Sequence, residues 1–318
     1  MNTIVINPYY TLIIATLVLL VGRLLVGKIK ILQNFNIPEP VAGGLLAAII
    51  IFLLYLKYEI SLEFSTNLQE AFMLFFFSSI GLSADFSRLK AGGKGLIFFL
   101  GVVALFIVVQ NSVGVGLASA LGQNPIMGLI TGSITLTGGH GTAGAWGKIL
   151  ETDYGIKGAT SLGMASATFG LVLGGLIGGP VARKLVNNMG RKPITDKATD
   201  NVVDTVVEVF ENAGKQRLIT SKSAIETMAL FAACLSFSAI MVSPTVTAYL
   251  PEKFTIPQFV WALFFGVLLR NVLTNAFKVN MFDRAIDVFG NASLSLFLGI
   301  ALLNLKLWTL LDIAVPML

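Results

Sequence analysis

Charge is scarce in this sequence. Asp, Glu, Lys and Arg make up 12% of its 318 residues, against about 25% in ordinary globular chains, which excludes the water-facing surface of a soluble domain of this size. There is one cysteine, Cys234. It excludes an intramolecular disulfide and, lying within an apolar run, reads as a small buried hydrophobe. There is one histidine, His140, so no pair of histidines sits at metal-ligand spacing. No Walker loop or nucleophile elbow occurs either, and these absences argue against an enzyme. The net charge of +5 does not gather into a patch. Its basic residues flank apolar runs, a pattern of membrane orientation and not of nucleic-acid binding. No basic stretch precedes the first apolar run and no obvious cleavage site follows it, so that run is expected to stay as a helix.

What the chain has is apolar length. Hydrophobic residues make up 55% of it, in runs approaching the 20 or so residues that cross a hydrocarbon core of roughly 30 Å. The runs lie at about Tyr9 to Gly27, Ile37 to Leu56, Ala71 to Ala84, Gly95 to Leu121, Thr160 to Ala182, Ala224 to Val242, Ile256 to Leu273 and Ala292 to Leu305. The expected class is an all-α membrane protein with about eight transmembrane segments. The third run is short and holds Ser78, Ser79, Gly81 and Ser83, which predicts a broken or partial helix whose polar atoms suit an ion site. A hydrophilic stretch between residues 187 and 221 joins residues 1–186 to residues 222–318. Within it, Asp200, Asp204, Glu208 and Glu211 are spaced as a short amphipathic helix or a solvated charge run.

Basic residues concentrate in cytoplasmic loops. With the N-terminus outside, all of the 22 Lys and Arg except Lys57, Lys148, Lys157, Lys253 and Lys306 fall inside. That orientation requires the Gly- and Thr-rich stretch at about 124–146 to enter and leave on one face. As a helix, Asn124 to Thr137 would span about 21 Å, enough to pass the midplane without crossing. A re-entrant hairpin opening to the outside is therefore expected, its backbone lining a wet cavity or buried in protein. The halves also look related: Ile37-Pro38-Glu39-Pro40-Val41 matches Ile256-Pro257-Gln258-Phe259-Val260, and Ser78 to Leu82 falls near Gly299 to Leu303. An odd number of crossings in the first half makes the repeats inverted, the architecture of secondary transporters with midplane sites.

The most specific local sequence is Gly132-Ser133-Ile134-Thr135-Leu136-Thr137-Gly138-Gly139-His140-Gly141-Thr142. Glycines here let the backbone turn sharply and approach a ligand closely. N–H groups freed at the turn can hold an anion, carbonyls can replace water around a cation, and the hydroxyls of Ser133, Thr135, Thr137 and Thr142 add to both. His140 offers either a ligand contact or a structural hydrogen bond. The same glycines would also suit plain helix packing.

Three strings together resemble the bacterial sodium/glutamate symporter family: Ile37-Pro38-Glu39-Pro40-Val41-Ala42-Gly43-Gly44-Leu45, the hairpin Gly132 to Thr142, and Ala167-Thr168-Phe169-Gly170 through to Gly179-Pro180. The resemblance covers essentially the whole chain. It implies sodium-driven L-glutamate uptake across a bacterial inner membrane by two inverted five-helix domains with one re-entrant loop each. The family's glycine-rich loop falls on Gly138, Gly139, His140 and Gly141. Sodium is then the coupling ion, with no organic cofactor, and a homodimer is the oligomer to test. The family carries a second such loop late in its C-terminal half. None occurs before Leu318, so the C-terminal repeat is expected to be incomplete and this chain alone not to transport.

Other residues read as follows. Gln110 and Asn111 lie inside the fourth run, where hydrogen bonding between helices is expected, and Asn111 is also counted among the substrate contacts. Gly174 with Gly178, and Gly175 with Gly179, have the spacing of close helix packing. Arg270, Asn271 and Glu226 lie near helix ends and are expected to snorkel to water. The expected substrate set is thus Asn111, Ser133, Thr135, Thr137, Gly138, Gly139, His140, Gly141 and Thr142, and the expected ion set is Ser78, Ser79 and Gly81. The competing readings are a symporter of another small carboxylate, proton-coupled, and a membrane fragment that moves nothing.

Overall fold

A computed structural model describes residues 2–34, 37–188, 219–249, 256–279, 281–305 and 307. The acidic stretch from Asp200 to Glu211 lies outside them. Helix α1 (Pro8–Lys28) starts where Asn7 accepts the Tyr10 N–H at 3.0 Å and Pro8 fills the first turn, which needs no N–H. After the short α2 (Lys30–Asn34), α3 (Glu39–Tyr58) starts from an extended Pro38 and ends at Glu59, in the left-handed region at φ 54°. Two strands follow that the sequence did not announce. β1 (Asn2–Ile6) pairs in parallel with β2 (Ile60–Phe64), Asn2 opposite Ile60 through Ile6 opposite Phe64.

Helix α4 (Asn67–Ser83) corrects the expected break. It runs through 17 residues without interruption, because the Ser78 and Ser79 hydroxyls donate to the Leu74 and Phe76 carbonyls of their own helix, each at 2.7 Å. Gly81 does not break it either. A side chain there would strike the Leu263 carbonyl of a crossing helix, so this glycine permits close approach. Helix α5 (Phe86–Ala120) has one departure from helical geometry, at Gly93 (φ 57°, ψ −151°). Beyond Gly93 its most apolar window buries no residue among the described residues, while its end packs on the hairpin through Gly114 and Ala118.

Past the hairpin come α8 (Ala159–Asn188), α9 (Ser221–Met241), the single turn α10 (Pro244–Thr247), α11 (Gln258–Asn271) with a π-helical extension to Ala276, and α12 (Asp283–Leu303). A capping box closes the start of α9, Thr220 accepting the Ser223 N–H while Ser223 accepts the Thr220 N–H. Among the described residues six helices are long and apolar enough to cross a membrane: α1, α3, α5 from Gly93, α9, α11 with its extension, and α12. Of the eight segments expected, α4 is the shorter, and α8 is diluted by Gly, Ala, Ser and Thr. The centre is a bundle in which α4 packs on both α11 and α12, α12 also packs on α3 and α1, and the pairs α1 with α3 and α9 with α11 flank it.

Close helix packing is not found at Gly174 and Gly178, and the side-chain surroundings of Gly175 and Gly179 lie outside the described residues. A side chain at Gly174 or Gly178 would meet open space, whereas Gly22 faces Gly43, Gly81 faces Gly266 and Gly114 faces Gly128 across backbone contacts. Arg270 and Asn271 do not snorkel; both are buried. Arg270 pairs with Asp283 and, at 3.6 Å, with Asp85, which gathers the ends of α4, α11 and α12 around one guanidinium. Asn271 accepts the Phe86 N–H at 2.9 Å and donates to the Ala84 carbonyl at 2.9 Å, bridging the joint between α4 and α5. Glu226, by contrast, is exposed and pairs with Lys222 one turn away.

Candidate functional site

The hairpin is built by a helix that fails at one glycine. Asn124 caps α6 (Pro125–Leu129), accepting the Ile126 N–H at 3.0 Å, and a π-helical turn (Ile130–Ile134) follows. Within that turn Gly132 departs from helical geometry (φ −93°, ψ −125°), which releases backbone groups from the ladder. Asn111 of α5 takes up one of them, its Oδ1 accepting the Ser133 N–H at 3.1 Å. Thr135 fills the widened turn with its hydroxyl on the Ile130 carbonyl at 2.7 Å, and Thr137 donates to Gln110 Oε1 at 2.7 Å. Thr137 and Gly138 form the tip, and Gly139, at φ 80°, starts α7 (Gly139–Thr152). An L side chain rarely adopts that angle, so glycine is required there by backbone geometry. Thr142 closes the tip by donating to the carbonyls of Ile134 and Gly139.

His140 is buried with Nε2 3.0 Å from Thr168 Oγ1 of α8. The single hydroxyl proton of Thr168 is already donated to the Met164 carbonyl at 2.9 Å. Nε2 must therefore carry the proton that joins the pair, which leaves Nδ1 of a neutral ring as an acceptor.

Beside the tip lies a cavity of about 320 Å³, within the size range of small-molecule sites. Gly138, His140, Gly141 and Thr142 line it from the hairpin, Phe76, Phe77 and Ile80 from α4, Pro38 and Pro40 from the start of α3, and Leu294, Ser295 and Leu298 from α12. Four residues of the expected substrate set are thus brought together. Asn111, Ser133, Thr135 and Thr137 instead hold the hairpin to α5 and to itself. Ser78, Ser79 and Gly81 lie nearby on α4 but face its neighbours: the site of a Cβ on Gly290 abuts Ser79, and Gly81 abuts α11. Ser295 was not anticipated, since a lone serine in an apolar run carries no local signal of a binding role. Apart from His140 no ionisable side chain among the described residues lines the cavity. Selectivity for charge must come from backbone, and α7 supplies it: no side chain caps its start, and its first-turn N–H groups lie at the tip.

Several apolar helices long enough to span a bilayer, and a broken hairpin held against them beside a cavity, define a polytopic membrane protein of transporter type. The family model for the sodium/glutamate symporter matches residues 4–318, and the chain belongs to that family. It is 47% identical over 314 residues to a sodium/glutamate symporter of Haemophilus influenzae, covering 98% of this chain and 76% of that one. It is 47% identical over 311 residues to proteins of the same description from Escherichia coli and Shigella flexneri, covering 97% of this chain and 75% of each. No solved structure matches it.

Proposed function

We propose that this protein couples sodium entry to uptake of L-glutamate by alternating access, with the hairpin-tip cavity as the substrate site. The observation that carries the reading is the uncapped start of α7 opening on a cavity that Ser295 and Leu298 complete from the other half of the chain. Carboxylates are held by the first-turn N–H groups near Gly139 to Gly141, the hydroxyl protons of Thr142 and Ser295 being committed to carbonyls of their own segments. The substrate ammonium is the natural partner of His140 Nδ1. Sodium is placed near the polar atoms of α4, where Ser78 and Ser79 keep oxygen lone pairs while donating to their own helix.

The architecture we assign is a pair of inverted repeats, α1, α3 and α4 corresponding to α9, α11 and α12. Pro38 and Pro257 cap α3 and α11 with nearly the same geometry (φ −62°, ψ 144° and φ −58°, ψ 147°). The packing is reciprocal: α11 lies on α4 as α3 lies on α12. Counting α4 and α8 as spans gives eight crossings, a re-entrant hairpin at 124–146 and an N-terminus outside the inner membrane. Cysteines at Lys148 and Lys157 should then react with an impermeant reagent from outside, and one at Lys197 only from inside; labelling of all three from one side rejects the assignment.

The function is tested in proteoliposomes with an inward sodium gradient. Two proteins are compared, the chain itself and the chain continued with the C-terminal quarter of its Escherichia coli relative. Sodium-dependent glutamate accumulation is expected of the continued form. Accumulation by neither overturns the symport reading.

A further inference from the structure

A second cavity, of about 380 Å³, lies at the other end of the same helices. Glu70 lines it from the first turn of α4, Lys148 and Thr152 from the last turns of α7, Asp153 from just beyond them, and Gln258 and Phe259 from the start of α11. Its walls carry what the tip cavity lacks, full charges of both signs. Lys148 and Glu70 form an ion pair across it, with side chains 32% and 53% exposed. A pair this wet contributes little to stability, so an incoming carboxylate can take the place of Glu70 on Lys148 at small cost. Asp153, which accepts the Thr152 hydroxyl at 2.7 Å, adds a second carboxylate on the same wall.

One layer of rings separates the two cavities. Phe77, on the wall of the tip cavity, packs with its centroid 4.5 Å from that of Phe259, on the wall of the charged one. Phe76 and Trp146 extend the layer, at 5.1 Å from Phe77 and 5.9 Å from Phe259. A solute in the charged cavity is therefore one aromatic layer from the hairpin tip.

We infer that the charged cavity is an outer binding site for the substrate, in which Lys148, released from Glu70, takes a carboxylate of an α-amino dicarboxylate while Glu70 and Asp153 face its ammonium. The inference rests on the symport reading for the identity of the ligand and on the outside placement of Lys148. The site binds without sodium, because the residues placed near sodium lie beyond the aromatic layer. It recognises a carboxylate and an ammonium together, so glutarate and L-glutamine bind more weakly than L-glutamate.

The test is protection from alkylation in right-side-out, sodium-free vesicles holding the full chain with Cys234→Ala and Thr152→Cys. L-Glutamate should slow labelling at position 152 by an impermeant maleimide. Lys148→Gln should raise the concentration needed for half protection by about fivefold, the scale of a half-exposed charge contact, and Lys148→Arg should keep it near the parent value. No labelling from outside, no protection by glutamate, or equal protection in Lys148→Gln overturns the inference. Sodium-driven uptake by the continued chain is measured alongside. Uptake without protection removes the outer site alone, whereas protection without uptake keeps the site and removes the symport reading.

Discussion

Asn111 on α5 and Ser133 in the hairpin are joined by a 3.1 Å hydrogen bond from the Ser133 N–H to Asn111 Oδ1. The bond exists because Gly132 breaks the helix and strands that N–H. Asn111→Leu would leave the donor buried without its partner, at about 1–3 kcal/mol. We expect the variant to insert normally, to lose most sodium-dependent uptake in the continued chain, and to show faster proteolysis or hydrogen exchange confined to the hairpin. Uptake at parental rates would show that the hairpin does not need this anchor.

Gly139 separates backbone strain from crowding. A side chain there meets no neighbour, yet φ is 80°, and holding a non-glycine residue in such a conformation costs on the order of 1–3 kcal/mol. Gly139→Val should abolish uptake with insertion intact, and Gly139→Asn, better tolerated at positive φ, should retain a measurable fraction. Equal activity of Val and Asn would show that φ at the tip is not what function requires.

Arg270 gives a stability prediction. Replacing it with Met leaves Asp85 and Asp283 without the guanidinium between them, and breaking a buried pair costs roughly 3–5 kcal/mol. Detergent-solubilised Arg270→Met should unfold at clearly lower temperature than the parent. Lys222→Met, which removes only the exposed contact to Glu226, should unfold within a degree or two of it.

The glycine crossings make a paired prediction. Gly81→Leu forces a side chain into the backbone of α11, whereas Gly178→Leu enters open space. Membrane yield should collapse for the first and hold for the second. The reverse result would place the tight contact of this fold on α8.

These cases also mark what could be seen in the sequence. The spans were legible because each is a local run of apolar residues with its own punctuation, such as Pro38 before α3 and Pro257 before α11. The hairpin tip was legible because Gly138, Gly139 and Gly141 cluster around a lone histidine. The burial of Arg270 was not, since its partner Asp85 comes from a helix end 185 positions earlier. Ser79 and Gly81 signalled a break, but a glycine that admits a neighbouring helix and a glycine that ends its own helix look alike until the neighbour is known. The β1–β2 pair was invisible for a similar reason: two five-residue strands in parallel register leave little pattern, and their pairing depends on α1, α2 and α3 lying between them.

That small sheet orders events during biogenesis. Residues 2–6 leave the ribosome before their partner strand at residues 60–64, which exists only after α1 and α3 have been made. The leading residues must therefore wait on the membrane surface, unpaired, while the helical hairpin behind them inserts. Once β2 arrives, with the Phe64 N–H held by Asn304 Oδ1 at 3.0 Å, closure also depends on the end of α12. A segment made early is thus secured late, so a bulky fusion just before β1 should slow maturation of the whole bundle more than one placed in the stretch that joins the halves.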